Sequence, residues 1–219
     1  SAGTTRPGPP VISADVEDWF QSTGDVTLPV GERAVSTTEH VLELLAAHGV
    51  HATMFIVGLF AEKFPATVRR LHAQGHEIAC HTYGHVQVFR KSRQEFTEKT
   101  RKCKDLLEQI IGERVRGYRA ADFSITEKSL WALEVLADLG FDYDSSIFPV
   151  RHDRYGIPNA ERTPHRMSTP AGKSIVEWPL STASILGFRL PVAGGGSFRL
   201  LPYGLTRWGL ASINRREPR

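Results

Sequence analysis

Apolar positions along this chain alternate between the spacing of strands and the spacing of helices. Residues 11–14 are a short apolar run ending in Asp15-Val16-Glu17-Asp18, which predicts a buried strand whose C-terminal end presents carboxylates. Residues 37–48 place Val41, Leu44 and Leu45 on one helical face, and Gly49 stops the helix. Residues 52–57 read as a second strand, 64–74 as a helix ending at Gly75, and 77–80 as a third strand with His81 at its end. Residues 94–111 form a long amphipathic pattern closed by Gly112, and 115–118 a strand leading into Arg119. A last helix is predicted over 127–139, stopped by Gly140. Residues 151–173 are polar and rich in Pro, Arg and His, the composition of a surface excursion. No internal repeat is present.

Strands alternating with helices imply a parallel sheet with right-handed crossovers, either a barrel or doubly wound, with chemistry at the C-terminal strand ends. A length of 219 residues fits one large α/β domain at least as well as two small ones. We expect that domain to run over 11–219. Residues 1–10 are small and Pro/Gly-rich without an apolar run, so they are no signal peptide and are expected to be disordered or foreign to the native chain.

Composition narrows the class. Apolar residues are 41% and charged residues 23%, values of a soluble globular protein. No stretch approaches the roughly 18 apolar residues of a membrane span. A net charge of +3, with Lys and Arg scattered among acids, argues against a nucleic-acid partner. Two cysteines, Cys80 and Cys103, make no disulfide framework and no CxxC pair, which suits the bacterial cytoplasm; export remains open if a leader was cut off.

Three groups fall at successive strand ends: the acids 15–18, then His81-Thr82-Tyr83-Gly84-His85, then Arg119. Two histidines four apart, joined by a carboxylate from another strand, are three ligands of the kind that leaves a catalytic Zn²⁺ a fourth position for water. Water on such an ion can have a pKa of about 7, and the ion can also polarise a carbonyl. A second carboxylate nearby would then be a general base. The same acids could instead cap the following helix.

The segments Ser13-Ala14-Asp15-Val16-Glu17-Asp18-Trp19-Phe20, Gly75-His76-Glu77-Ile78-Ala79-Cys80-His81-Thr82-Tyr83-Gly84-His85 and Gly117-Tyr118-Arg119 resemble, in order and spacing, the first three motifs of NodB-type polysaccharide deacetylases, carbohydrate esterase family 4. Tyr143-Asp144-Ser145-Ser146, His152-Asp153-Arg154-Tyr155-Gly156 and the run from Gly194 to Pro202 are similar to the branch associated with bacterial exopolysaccharide and exosortase loci. The resemblance implies a distorted (β/α) barrel, hydrolysis of N-acetyl groups on a polysaccharide, oligosaccharide or lipid-linked N-acetylhexosamine, and one divalent ion, zinc first, with cobalt or nickel as alternatives.

Residue by residue, the resemblance implies Asp15 as catalytic base, Arg119 as the cation that keeps it ionised, and His81 and His85 as metal ligands. For the third ligand Asp18 is favoured and Glu17 is the alternative; strand alternation favours Glu17, which shares a face with Asp15, unless the strand ends at Asp15. Asp122 is expected to offer a backbone N–H to the oxyanion, although Ala121 stands where the family has proline. Trp178, in Glu177-Trp178-Pro179, and Trp19 are expected to wall the substrate groove. The family's final strand, with the histidine that protonates the leaving amine, has no counterpart before Arg219, so this chain should lack that last strand and its general acid. Rival readings are a non-catalytic sugar-binding module on the same fold, an allantoinase-like small-amide hydrolase, and a purely structural metal site.

Overall fold

A computed structural model of the chain describes residues 11–23, 28–152, 155–169, 171–185, 188–192 and 194–216. The expectations for 1–10, for Asp153 and Arg154, and for the chain end at Arg219 lie outside them.

Six strands run parallel in the order β1 (Ser13–Val16), β2 (Thr53–Ile56), β3 (Glu77–Cys80), β4 (Gly117–Tyr118), β5 (Tyr143–Asp144) and β7 (Ser174–Glu177), and β6 (His165–Ser168) lies antiparallel on the far edge of β7. The class is α/β around a parallel sheet, as the alternation predicts. Among the described residues no pairing joins β1 to β6. Registers such as Asp15↔Phe55 and Cys80↔Tyr118 bring the strand ends level, so residues following the strands gather at one edge.

The crossovers are α2 (Glu32–Ala47), the pair α3 (Gly58–Lys63) and α4 (Pro65–Ala73), α5 (Arg93–Ile111) and α6 (Trp131–Asp138), with a short α1 (Trp19–Thr23) just after β1. Helix α2 starts earlier than its apolar period suggests. The predicted helix over 64–74 is preceded by a separate turn of helix, because Pro65 supplies no N–H to continue it. Helix α5 is stopped at both ends by local chemistry. The Ser92 hydroxyl accepts from the Glu95 N–H, and Gly112 ends it in the left-handed region at φ 73°. The core lies between sheet and helices, with Met54, Phe55, Phe60, Phe96, Leu107, Tyr118 and Leu136 fully buried.

The polar stretch after residue 150 is more than a surface excursion. Ile157, Ala160 and Met167 pack on the main core, and β6 forms a hairpin with β7 that extends the sheet. Beyond it, β8 (Thr182–Ile185) and β9 (Phe188–Pro191) form a separate antiparallel pair, followed by α7 (Gly195–Leu200) and α8 (Tyr203–Arg216). Ala183, Val192 and Ile213 make a small core of their own there. No helix among the described residues is long and apolar enough to cross a membrane.

Candidate metal centre

Strand β1 ends at Val16, one residue past Asp15, so its alternation carries Asp15 and Glu17 to the same side. The strand end next but one supplies the histidines. The His81 N–H donates to the Ile56 carbonyl at 2.9 Å, continuing the ladder, and the chain then leaves the sheet through Thr82 at φ 58° and His85 at φ 50°. Left-handed backbone at a β-branched residue is strained. The turn is held by Thr82 Oγ1, which accepts from the His85 N–H at 3.0 Å, and by Gly58 and Leu59 N–H groups donating to the Thr82 and Tyr83 carbonyls. Tyr83 lies so close that a Cβ on Gly58 would sit 2.4 Å from its ring.

Glu17, His81 and His85 each offer a ligand atom, and these atoms all lie within 4.8 Å of one another. Glu17 Oε2 is 2.5 Å from His85 Nε2 and 3.5 Å from His81 Nε2, while Asp15 Oδ2 is 3.9 Å from His81 Nε2. Each imidazole is fixed from behind. His81 Nδ1 lies 2.9 Å from the Arg119 carbonyl and His85 Nδ1 2.9 Å from the Gln21 carbonyl. A carbonyl only accepts, so both Nδ1 atoms carry protons, and in the neutral rings both Nε2 lone pairs face the carboxylate. Acceptors turned toward one another in such a site need a cation or protons between them, since with both rings neutral Glu17 Oε2 has no donor. Two nitrogens and one carboxylate oxygen, with an open side toward Asp15, suit a catalytic divalent ion better than a closed structural one.

Arg119 follows β4 and lies with its guanidinium 3.9 Å from the centre of the Phe55 ring. Its Nη1 donates to Asp15 Oδ1 at 2.8 Å and Ser13 Oγ at 3.0 Å; Nε and Nη2 donate to the carbonyl and hydroxyl of Ser145. One Asp15 oxygen is therefore occupied, and the other faces His81.

Asp18 departs from its expected place. Its side chain is 2% exposed and turns away, with Oδ2 accepting from the Gly31 N–H at 2.7 Å and Oδ1 from the Trp19 N–H at 2.9 Å, beside Arg33. The carboxylate beside the histidines is Glu17, because β1 continues through Val16 and Asp18 then caps α1 and the start of α2. Trp19 is exposed under the Arg33 guanidinium, which lies 5.1 Å from its ring. Asp122 and Phe123 both have φ 51°, just past the Ala121 that replaces proline, and Asp122 Oδ2 accepts from Gln87 Nε2 at 2.6 Å. Trp178 is half-buried after β7, its N–H donating to the Asp144 carbonyl. Among the described residues no hydrogen bond or ion pair joins Asp122 or Trp178 to Glu17, His81 or His85. Sequence reasoning missed Gln21, Ser145, Ser146 and the buried Asp144 and Glu177. The motifs around 143–146 and 177–179 hinted at the last four, and nothing pointed to Gln21.

Residues 24–143, more than half of the chain, match the polysaccharide deacetylase model, and the chain belongs to that family. Residues 145–219 match a domain of unknown function, DUF3473. A peptidoglycan-N-acetylglucosamine deacetylase of Bacillus cereus is 35% identical over 98 residues, 44% of this chain and 36% of that protein. A chitooligosaccharide deacetylase of Sinorhizobium fredii is 47% identical over 60 residues, 27% of each chain. The chain thus matches well under half the length of these curated relatives. Among solved structures, a Mycobacterium smegmatis protein assigned to the polysaccharide deacetylases superposes with a TM-score of 0.65 at 20% identity, covering 94% of this chain and 72% of that one. The PuuE allantoinase superposes with a TM-score of 0.55 at 18% identity, covering 80% and 61%. At those identities the likeness is one of fold.

Proposed function

We propose that this protein removes N-acetyl groups from hexosamines in a polysaccharide, oligosaccharide or lipid-linked glycan, with a divalent ion, zinc first, held by Glu17, His81 and His85. The observation that carries the reading is the cluster of two Nε2 atoms and one half-buried carboxylate beside the Asp15–Arg119 pair. Such an ion would polarise the acetyl carbonyl and make a water acidic enough to attack it near neutral pH. Asp15, its Oδ1 held by Arg119, takes the water's proton through Oδ2. Cleavage of the C–N bond gives acetate and a free amine, which must gain a proton as it leaves. The resemblance assigns that step to a histidine motif the 219 residues do not contain. We read 11–219 as one deacetylase unit, supported by a sheet that runs from β1 to β6 across the boundary between the two matched regions.

The test is bound metal per chain, compared with His81→Ala and Glu17→Gln, followed by acetate release from N-acetylglucosamine oligomers. About one equivalent of zinc, cobalt or nickel, lost in both variants, together with acetate release is expected. Metal with oligomer binding but no acetate would move the assignment to a sugar-binding module, and turnover of allantoin instead of glycans to a small-amide hydrolase. No metal at saturation sinks the hydrolase reading.

A further inference from the structure

Near Arg119 two carboxyls are paired by strand register inside the protein. Asp144 ends β5 and Glu177 ends β7; they are register partners across the parallel seam, and both are 0% exposed. Their hydrogen bonds can be counted atom by atom. Asp144 Oδ1 accepts from Ser146 Oγ at 2.5 Å and Oδ2 from the Ser146 N–H at 3.2 Å. The Ser146 hydroxyl gives its one proton to Asp144 while its oxygen accepts the Ala120 N–H at 2.8 Å. Both Asp144 oxygens are therefore acceptors. Glu177 Oε1 accepts from the Ile147 N–H at 3.0 Å, and Oε2 is buried without any donor. The β5–β7 register sets the Asp144 carboxyl beside that of Glu177, and two carboxyl oxygens bond only when one carries a proton. Oε2 is the one atom of the four with no donor directed at it.

We propose that Glu177 is a neutral carboxylic acid that donates from Oε2 to an ionised Asp144, and that this acid–carboxylate pair is the strut positioning Arg119 against Asp15. The strut reaches Arg119 by two routes. Asp144 fixes Ser146, whose hydroxyl holds the Ala120 N–H next to Arg119. The neighbouring Ser145 accepts from Arg119 Nε and Nη2 at 3.1 and 2.9 Å. With both acids ionised, two buried charges would face a single guanidinium already committed to Asp15.

The surroundings agree. Burial lifts the Asp144 carboxyl above its ordinary value, eased by its bonds to Glu177 and Ser146, and burial together with the Asp144 charge lifts Glu177 much further. Among the groups on adjoining elements, β4 contributes Arg119 and the buried phenol of Tyr118. On β6 the register partner is His165, with Nδ1 at 2.9 Å from the Thr163 carbonyl. Helix α6, packed on β7, directs Glu134 and Asp138 to Arg93 and Lys173. Arg119 is a cation whose charge acts on both carboxyls.

The strut rests on the reading of Asp15 and Arg119 as catalytic partners, but the proton does not, so the two can fail separately. Three substitutions suffice. Glu177→Gln keeps an acceptor for Ile147 and a donor for Asp144, and should leave kcat within about threefold of wild type. Asp144→Asn aims an amide N–H₂ at donors. Asp144→Asn and Glu177→Ala should each lower kcat about tenfold to a hundredfold, as loss of supporting partners does. Infrared difference spectra of wild type against Glu177→Gln at about pH 8 should show the C=O band of a neutral carboxyl, lost in the variant, whether or not the protein turns over any glycan. The side-chain N–H signals of Arg119 in ¹⁵N NMR should persist in Glu177→Gln and broaden or vanish in Glu177→Ala. Absence of the neutral-acid band overturns the proton. Tolerance of Asp144→Asn with damage by Glu177→Gln places it on Asp144 and overturns the assignment. An Arg119 signal indifferent to Glu177→Ala overturns the strut.

Discussion

His81 and Arg119 hold one another: the Arg119 carbonyl fixes His81 Nδ1 at 2.9 Å, while the guanidinium of the same residue reaches the carboxylate of Asp15, whose other oxygen lies 3.9 Å from His81 Nε2. The orientation of a candidate metal ligand and of a candidate base are therefore set by one residue. Arg119→Lys should lower kcat/KM about tenfold to a hundredfold, because an ammonium cannot bridge Asp15, Ser13 and Ser145 from one planar fork. Steady-state kinetics beside a thermal melt would check this, and unchanged turnover in a folded Lys variant would remove Arg119 from the site.

The two adjacent acids should separate cleanly. Glu17→Gln is expected to reduce bound cation from about one equivalent to a small fraction. Asp18→Ala should retain the cation and lose about 1–3 kcal/mol of stability, since the N–H groups of Trp19 and Gly31 lose their acceptor. Metal analysis and denaturant unfolding of both variants decide it; the opposite pattern would return the ligand role to Asp18.

Without a cation, burial alone would raise the Glu17 carboxyl, but bonds to His81 and His85 and their charges bring it down to about 2. Burial alone would lower His81, but the charge of Asp15 and the bond to Glu17 lift it to about 9. A lowered carboxyl stabilises the fold above its unfolded value of 4.5 and ceases to as pH falls toward about 2. A raised histidine stabilises it fully below 6.5 and ceases to as pH climbs through about 9. A bound cation must displace the His81 proton, so apparent affinity should rise about tenfold per pH unit and level off above about pH 9. Competition titrations against a chelator across this range would measure the slope, and a flat profile would place the cation elsewhere.

Gly58→Ala tests how tightly the histidine turn is built. The added Cβ would meet the Tyr83 ring at 2.4 Å and its Cα at 3.0 Å, so backbone between the two histidines has to move. We expect a loss of about 1–3 kcal/mol, seen in thermal or chemical unfolding, with weakened cation binding. A variant as stable as wild type would show the turn to be slack.

Much of the fold and the site is legible in the amino-acid sequence. The apolar runs at 52–57 and 77–80 mark strands covered on both faces, which places His81 at a strand end, whereas the run at 11–14, expected to be buried, lies at the edge strand with Val11 60% and Ile12 45% exposed. The choice between Glu17 and Asp18 turns on where β1 stops, and boundaries are what a periodicity reads least well. The hairpin of β6 and β7 is hidden for another reason. His165 and Met167 face partly inward while Arg166 and Ser168 face solvent, so an edge strand there carries scarcely any apolar signal. The Asp144–Glu177 pair is invisible in the sequence because the two carboxyls belong to strands far apart along the chain and meet only through the β5–β7 register.

That register has a bearing on ancestry and on dissection. The two sequence regions recognisable in relatives join between residues 143 and 145, which is where β5 hands the sheet to β7. A recombination event or a cloning cut placed there would expose an unpaired strand edge on one piece and leave Asp144 on the other side from Glu177. Exchange of the second region between relatives should therefore succeed only when the acids at both positions travel together, which makes this seam a record of which halves have evolved as partners.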